Sequence, residues 1–115
     1  MARVKIYQLA YEGEKAAAWA HGGYAHAMKN GFDPSCYDMV HAFEDPYGNL
    51  AAIYAEFNGN QPEGYRGRPL SVSDVVVVNE VAYYLDNQGF VEVSKRQWHD
   101  CRIGYARAEL QLVAA

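Results

Sequence analysis

Four consecutive valines, Val75 to Val78, constrain this chain more than any other feature. β-branched side chains lose rotamer freedom in a helix and pack well on a pleated surface, so the run reads as a strand. Side chains alternate between the two faces of a strand, so a run with no polar alternation must be covered on both sides. The valines therefore predict a central strand, not a half-solvated edge. Asn79-Glu80 follows as a candidate two-residue hairpin turn, since Asn tolerates the positive φ such turns need. Glu80 suits that turn less well than Gly, which leaves a longer connection open. Val81 to Leu85 reads as the returning strand. In Asp86-Asn87-Gln88-Gly89, Asp stands first and Gly fourth, as a type I turn prefers, and Phe90 to Val93 returns again. Residues 70–93 thus predict a β-meander.

The rest of the chain supplies partners for it. Residues 3–9, with Val4, Ile6 and Leu9, suit a first strand. Glu14 to Lys29 is Ala-rich and suits helix, but Gly22-Gly23 costs about 1 kcal/mol per Gly relative to Ala. One helix and two short helices with a kink are both open, with Asn30-Gly31 as the stop. Tyr37 to Phe43 is a second strand candidate, followed by the turn Asp45-Pro46-Tyr47-Gly48. Asn49 can cap a helix to about Phe57, with Leu50, Ile53, Tyr54 and Phe57 on one face. Residues 58–68 form a loop by composition, long enough to suggest function. After Ser94, a possible cap, the spacing of Trp98, Cys101, Tyr105 and Leu112 predicts an amphipathic C-terminal helix, weakest at Gly104. The expectation is one domain over 1–115, of α+β class: a small, mainly antiparallel sheet packed by two to three helices.

Composition bounds the function classes. At 115 residues with 50% hydrophobic and 21% charged residues, the chain is ordinary globular material. A formal net charge of −4 argues against a dedicated nucleic-acid backbone binder and is too weak for a nucleic-acid mimic. Cys36 and Cys101 are far apart and lack Cys-x-x-Cys spacing, which favours two reduced, buried thiols. Arg3 and Lys5 interrupt any secretory apolar region, and no apolar run approaches the ~20 residues of a spanning helix. The chain reads as soluble and cytoplasmic, with no membrane partner.

Leu70-Ser71-Val72-Ser73-Asp74-Val75-Val76-Val77, Ala82-Tyr83-Tyr84-x-Asp86 and Gly89-Phe90-x-Glu92-Val93 together resemble the YodL-like domain of bacteria and their mobile elements. Tyr37-Asp38-Met39-Val40, the helix Leu50 to Asn58 and the approach Pro62…Tyr65-x-Gly67 are similar to that family's central segment. The resemblance is strongest over 33–93, thinner over Ile6 to Leu9 and absent after about residue 95. The short Asn79-Glu80 connection departs from the family's longer turn, as does the extended C-terminus. The family has no established enzymatic activity and often forms one piece of large proteins of conjugative elements and phages. The resemblance therefore implies an accessory or interaction module, with no catalytic residues to carry over.

The polar residues fit that reading. His21 and His26 diverge by roughly 140° on a helix, unlike zinc ligands three or four apart. His99, Asp100 and Cys101 form a local cluster, but residues two apart on a helix point about 160° apart, unlike a Cys-His pair. No cofactor or metal is indicated. Ser71, Ser73, Asp74 and Asp86 read first as turn anchors, satisfying backbone donors, and alternatively as polar anchors of a binding surface, while Gly89 is a turn anchor only. Gly22-Gly23 and Gly64…Gly67 match no phosphate loop. Ten tyrosines are the compositional oddity. Tyr65, Arg66 and Arg68 in the long loop, with Lys95, Arg96, Trp98 and Arg102 after the meander, make the candidate contact surface. Trp98 and Tyr105 have a second reading, as core anchors.

The expected role is a non-enzymatic module of a prokaryotic mobile element or phage, acting by protein contact with an unidentified protein; a homodimer is compatible with it. The alternative is nucleic-acid binding through Arg66, Arg68, Lys95, Arg96, Arg102 and Arg107. A third reading is an enzyme using His99, Asp100 and Cys101.

Overall fold

A computed structural model describes residues 1–10, 14–59, 61–65 and 67–101. The elements in chain order are β1 (Ala2–Leu9), α1 (Glu14–Ala17), α2 (Tyr24–Lys29), a 3-10 turn (Pro34–Cys36) and β2 (Tyr37–Asp45). They continue with α3 (Leu50–Asn58), β3 (Val75–Val78), β4 (Val81–Asp86), β5 (Gly89–Val93) and α4 (Lys95–Cys101). The strands form one sheet in the order β2-β1-β3-β4-β5, antiparallel at every junction. The fold is α+β, and β3 to β5 form the expected meander.

The valine run is buried on both faces. Val75 and Val77 pack with Tyr7, Trp19, Ala27, Tyr37, Ala82, Tyr84, Val93 and Trp98 under α1, α2 and α4. Val76 packs into a second cluster with Val4, Ile6, Ile53, Phe57, Leu70 and Leu85 beneath α3. Each fully buried apolar side chain of this kind stabilises by about 1.5–3 kcal/mol relative to exposure. The first cluster is unusually aromatic: Trp98 meets Tyr7 edge-on at 5.1 Å and Tyr37 at 5.7 Å, while Trp19 meets Phe32 at 5.2 Å.

Of the two readings of residues 14–29, two short helices form. The break falls at residues 18–23, where His21 takes φ 65 and Gly23 φ 95. Asn30 closes α2, its N–H donating to the His26 and Ala27 carbonyls. The Asn79-Glu80 connection is a two-residue turn with both residues left-handed (φ 48 and 71), and Val78 pairs directly with Val81. Asn79 is held there because its Oδ1 accepts from Arg3 N–H and its own N–H donates to the Arg3 carbonyl, both at 2.9 Å. Asn49 caps α3, Oδ1 accepting from Ala52 N–H at 3.1 Å. Ile53 and Phe57 are buried on that helix, Leu50 is half-buried and Tyr54 remains 40% exposed. Ser94 caps α4 through Gln97 N–H. Tyr105, Leu112 and Gly104 lie outside the described residues.

Candidate functional site

Three polar residues, Gln8, Ser73 and Asp74, are buried beside the apolar core. They meet where the long loop after α3 crosses the end of β1 and enters β3. Asp74 Oδ2 accepts from Ser71 N–H at 2.9 Å and from Gln8 Nε2 at 3.0 Å. The Arg68 guanidinium stands 4.0 Å from its other oxygen and also reaches the Leu9 carbonyl at 3.5 Å. Ser73 sits at φ 90, a left-handed conformation costly for a non-glycine residue. Its surroundings hold it: Oγ accepts from His21 N–H, its carbonyl accepts from the Tyr37 hydroxyl, and its N–H donates to the Leu85 carbonyl. The Tyr84 hydroxyl lies 3.2 Å from Ser73 Oγ.

Electrostatics follow from this burial. Desolvation pushes the Asp74 carboxyl up to about 6, against the hydrogen bonds from Ser71 and Gln8 and the positive charges of Arg68 and His21. Burial also raises the Tyr37 and Tyr84 hydroxyls above the usual phenol range, and neighbouring acidic groups add to it. Tyr65 rises to about 12 by burial and the Asp74 charge, with Arg68 opposing.

Tyr65 and Arg68 are both engaged within the molecule. The Tyr65 ring lies edge-on to Phe57 at 4.9 Å and to His41 at 5.5 Å, and its hydroxyl donates to the Arg68 carbonyl at 2.7 Å. Trp98 is 4% exposed and takes the core reading. Lys95 and Arg96 are exposed at the start of α4. Arg66, Arg102 and Arg107 lie outside the described residues. The anchors split by role: Asp74 bonds the Ser71 backbone, Ser73 ties the β3 entry to His21, and Asp86 serves two elements at once. Asp86 Oδ1 accepts from Asn87 N–H at 2.8 Å within its turn and from Tyr24 N–H at 3.0 Å at the start of α2. Gly23 is required there, since a Cβ at its φ of 95 would stand 2.8 Å from that same oxygen. Gly89 closes the turn at φ 124.

His21 and His26 are exposed, and His26 faces Asn30. Among the described residues no three His, Cys, Asp or Glu side chains gather in a metal-binding arrangement. His99, Asp100 and Cys101 lie in α4, and their side chains are outside what the structure describes. No described helix is long and apolar enough to cross a membrane.

A second feature lies on the α3 face. One nine-residue helix cannot cover five strands spaced about 4.8 Å apart. Between α3 and the β4–β5 turn an open groove of about 570 Å³ remains, lined mainly by Leu50, Tyr54, Val72, Leu85 and Phe90. Tyr47, 88% exposed, lies in the turn that leads into α3. Sequence reasoning passed over this groove, because Leu50, Tyr54 and Phe90 read as ordinary core-facing positions. It also passed over Gln8, a lone polar residue at the end of a strand.

A small α+β domain with an internally bonded polar centre and, among the described residues, a groove beside α3 is therefore the class these features define. The chain belongs to the YodL-like domain family, whose model matches residues 3–95. No curated protein and no solved structure matches the chain.

Proposed function

We propose that this chain is a non-enzymatic interaction module that acts by protein–protein contact. The supporting observation is the contrast between its two polar and apolar features. Gln8, Ser73, Asp74, Tyr37 and Tyr84 are buried and spend their hydrogen bonds on one another and on nearby backbone. Their chemistry is that of a structural latch. The α3 groove is open, mainly apolar and carries Tyr54 and Phe90 in its lining, the kind of aromatic residue from which contact hot spots are built. Tyr54 replaces Tyr65 as the central contact residue, because Tyr65 is committed to Phe57 and His41. The occupant this groove fits is an apolar or aromatic segment of a partner protein. The family's usual setting makes other proteins of a mobile element or phage the place to seek it.

The test is capture from nuclease-treated lysate of the native host, comparing the wild-type chain with Tyr54→Ala and Tyr65→Ala. Loss of capture in Tyr54→Ala with an unchanged melting temperature supports the reading. Capture that disappears only on nuclease treatment points to nucleic-acid tethering and overturns it.

A further inference from the structure

The sheet has two edges, and they differ. β2 is irregular, with a register shift opposite Ile6/Tyr7, and carries Asp38, Glu44 and Asp45. Bulges and charges of one sign are how edges avoid pairing with other strands. β5 has neither device. It is regular throughout its pairing with β4, and Glu92 is its single charge in Gly89-Phe90-Val91-Glu92-Val93.

Its hydrogen-bonding direction follows from the neighbouring strands. The tight Asn79-Glu80 turn makes Val78 and Val81 a hydrogen-bonded pair, so Val81, Tyr83 and Leu85 turn their backbone groups towards the β3 side. Leu85 does so visibly, its N–H donating to the Asp74 carbonyl at 2.8 Å and its carbonyl accepting from Ser73 N–H. Ala82, Tyr84 and Asp86 therefore face β5 and meet Val93, Val91 and Gly89. That leaves the N–H and C=O groups of Phe90 and Glu92 directed outwards along an edge that no described strand pairs with.

We propose that this edge pairs with β5 of a second copy of the chain, antiparallel about a two-fold axis at Val91, to make a continuous ten-stranded sheet. In that register Phe90 stands opposite Glu92 of the partner, and Glu92 opposite its Phe90. All four outward N–H and C=O groups of each copy are then satisfied, giving four inter-chain hydrogen bonds. The register one step further along would set Glu92 against Glu92, which like charge disfavours. Charge complementarity selects a second copy as the occupant. Antiparallel pairing carries the basic start of α4, with exposed Lys95, to the Asp86 turn of the other chain, both on the face covered by α2 and α4. On the opposite face the two Phe90 rings become diagonal neighbours, within aromatic reach, and the two α3 grooves join across the axis. This pairing deepens the contact role proposed above and rests on it, since it makes the groove part of a two-fold surface.

The full-length chain is examined by sedimentation over micromolar to millimolar concentration, alongside Glu92→Pro, which removes one outward donor per chain. A concentration-dependent dimer is expected, with association weakened about tenfold to thirtyfold in Glu92→Pro. In a Cys101→Ser background, Val91→Cys should form a covalent dimer on mild oxidation, because the axis places the two positions in a close, non-hydrogen-bonded pair. Glu92→Cys should not, because position 92 stands opposite position 90 of the second copy, two residues out of register with that copy's own position 92. A chain that stays monomeric without cross-linking overturns the pairing. So does a dimer indifferent to Glu92→Pro, or one that cross-links through position 92 instead of 91. A monomer that still captures a partner through Tyr54 overturns the pairing alone and leaves the contact role standing.

Discussion

Gln8 grips Arg68 at both ends of its backbone. Arg68 N–H donates to Gln8 Oε1 at 2.8 Å, and Gln8 Nε2 donates to the Arg68 carbonyl at 2.9 Å. One side-chain amide thus imitates a strand neighbour for a loop residue 60 positions away. The same Nε2 also reaches Asp74 Oδ2, so a single buried amide ties β1, the long loop and the entry to β3 together.

Removing that amide is expected to loosen the loop and the sheet together. Gln8→Ala takes the partner of the Arg68 N–H and leaves the Arg68 carbonyl to Tyr65 and Asp74 Oδ2 to Ser71, and a buried donor left unsatisfied costs about 1–3 kcal/mol. The expected loss is about 1–2 kcal/mol, seen as a lower urea midpoint with an unchanged slope. An unaltered midpoint would show that water takes over the amide's bonds.

Asp74 should make stability depend on pH in an unusual direction. Its carboxyl lies at about 6 in the folded chain against 3.8 in the unfolded one. The folded state therefore binds the proton more tightly. The contribution is fully present below about pH 4 and is lost as pH rises through 6, to the extent of roughly 2–3 kcal/mol. Denaturant midpoints of wild type and Asp74→Asn between pH 4 and 8 isolate it: the wild-type advantage should shrink as pH rises. A difference that is constant with pH would refute the assignment.

Glu80 occupies a left-handed position at φ 71 without a glycine's freedom. Glu80→Gly relieves that strain, worth about 1–2 kcal/mol, less the entropy a glycine adds to the unfolded chain. A net gain of up to about 1 kcal/mol is expected, read as a higher melting temperature. A lower one would mean that the Glu80 side chain contributes more than its backbone costs.

Trp98 separates a core role from a surface role. It is 4% exposed and its ring meets those of Tyr7, Phe32 and Tyr37. Trp98→Ala should cost about 3–5 kcal/mol, whereas Tyr54→Ala, at a site 40% exposed, should stay within about 0.5 kcal/mol. Thermal unfolding of the two variants decides between the roles.

Much of the scaffold was legible because its determinants are local. Val75 to Val78 declares a doubly covered strand through side-chain shape and alternation alone. Asn49 and Ser94 announce helix starts, and Asp86 with Gly89 announces a turn, because each acts on backbone within three residues of itself. The proposed contact surface was less legible. Tyr65, Arg68 and Trp98 have the composition of an interface, but composition does not say which way a side chain faces. Tyr65 turns onto Phe57, Arg68 towards Asp74, and Trp98 into the aromatic cluster.

By itself, then, the sequence determined the strands, the meander and the family, since turn chemistry and hydrophobic alternation operate between near neighbours. Tertiary structure alone decided that β1 inserts between β2 and β3, that Gln8 meets Arg68 and Asp74, and that α3 leaves the β4–β5 side of its face open. Those outcomes depend on contacts between residues dozens of positions apart and on how much sheet one short helix can cover. The valine run marks where the sheet must be buried, and only the packed helices reveal where it is not.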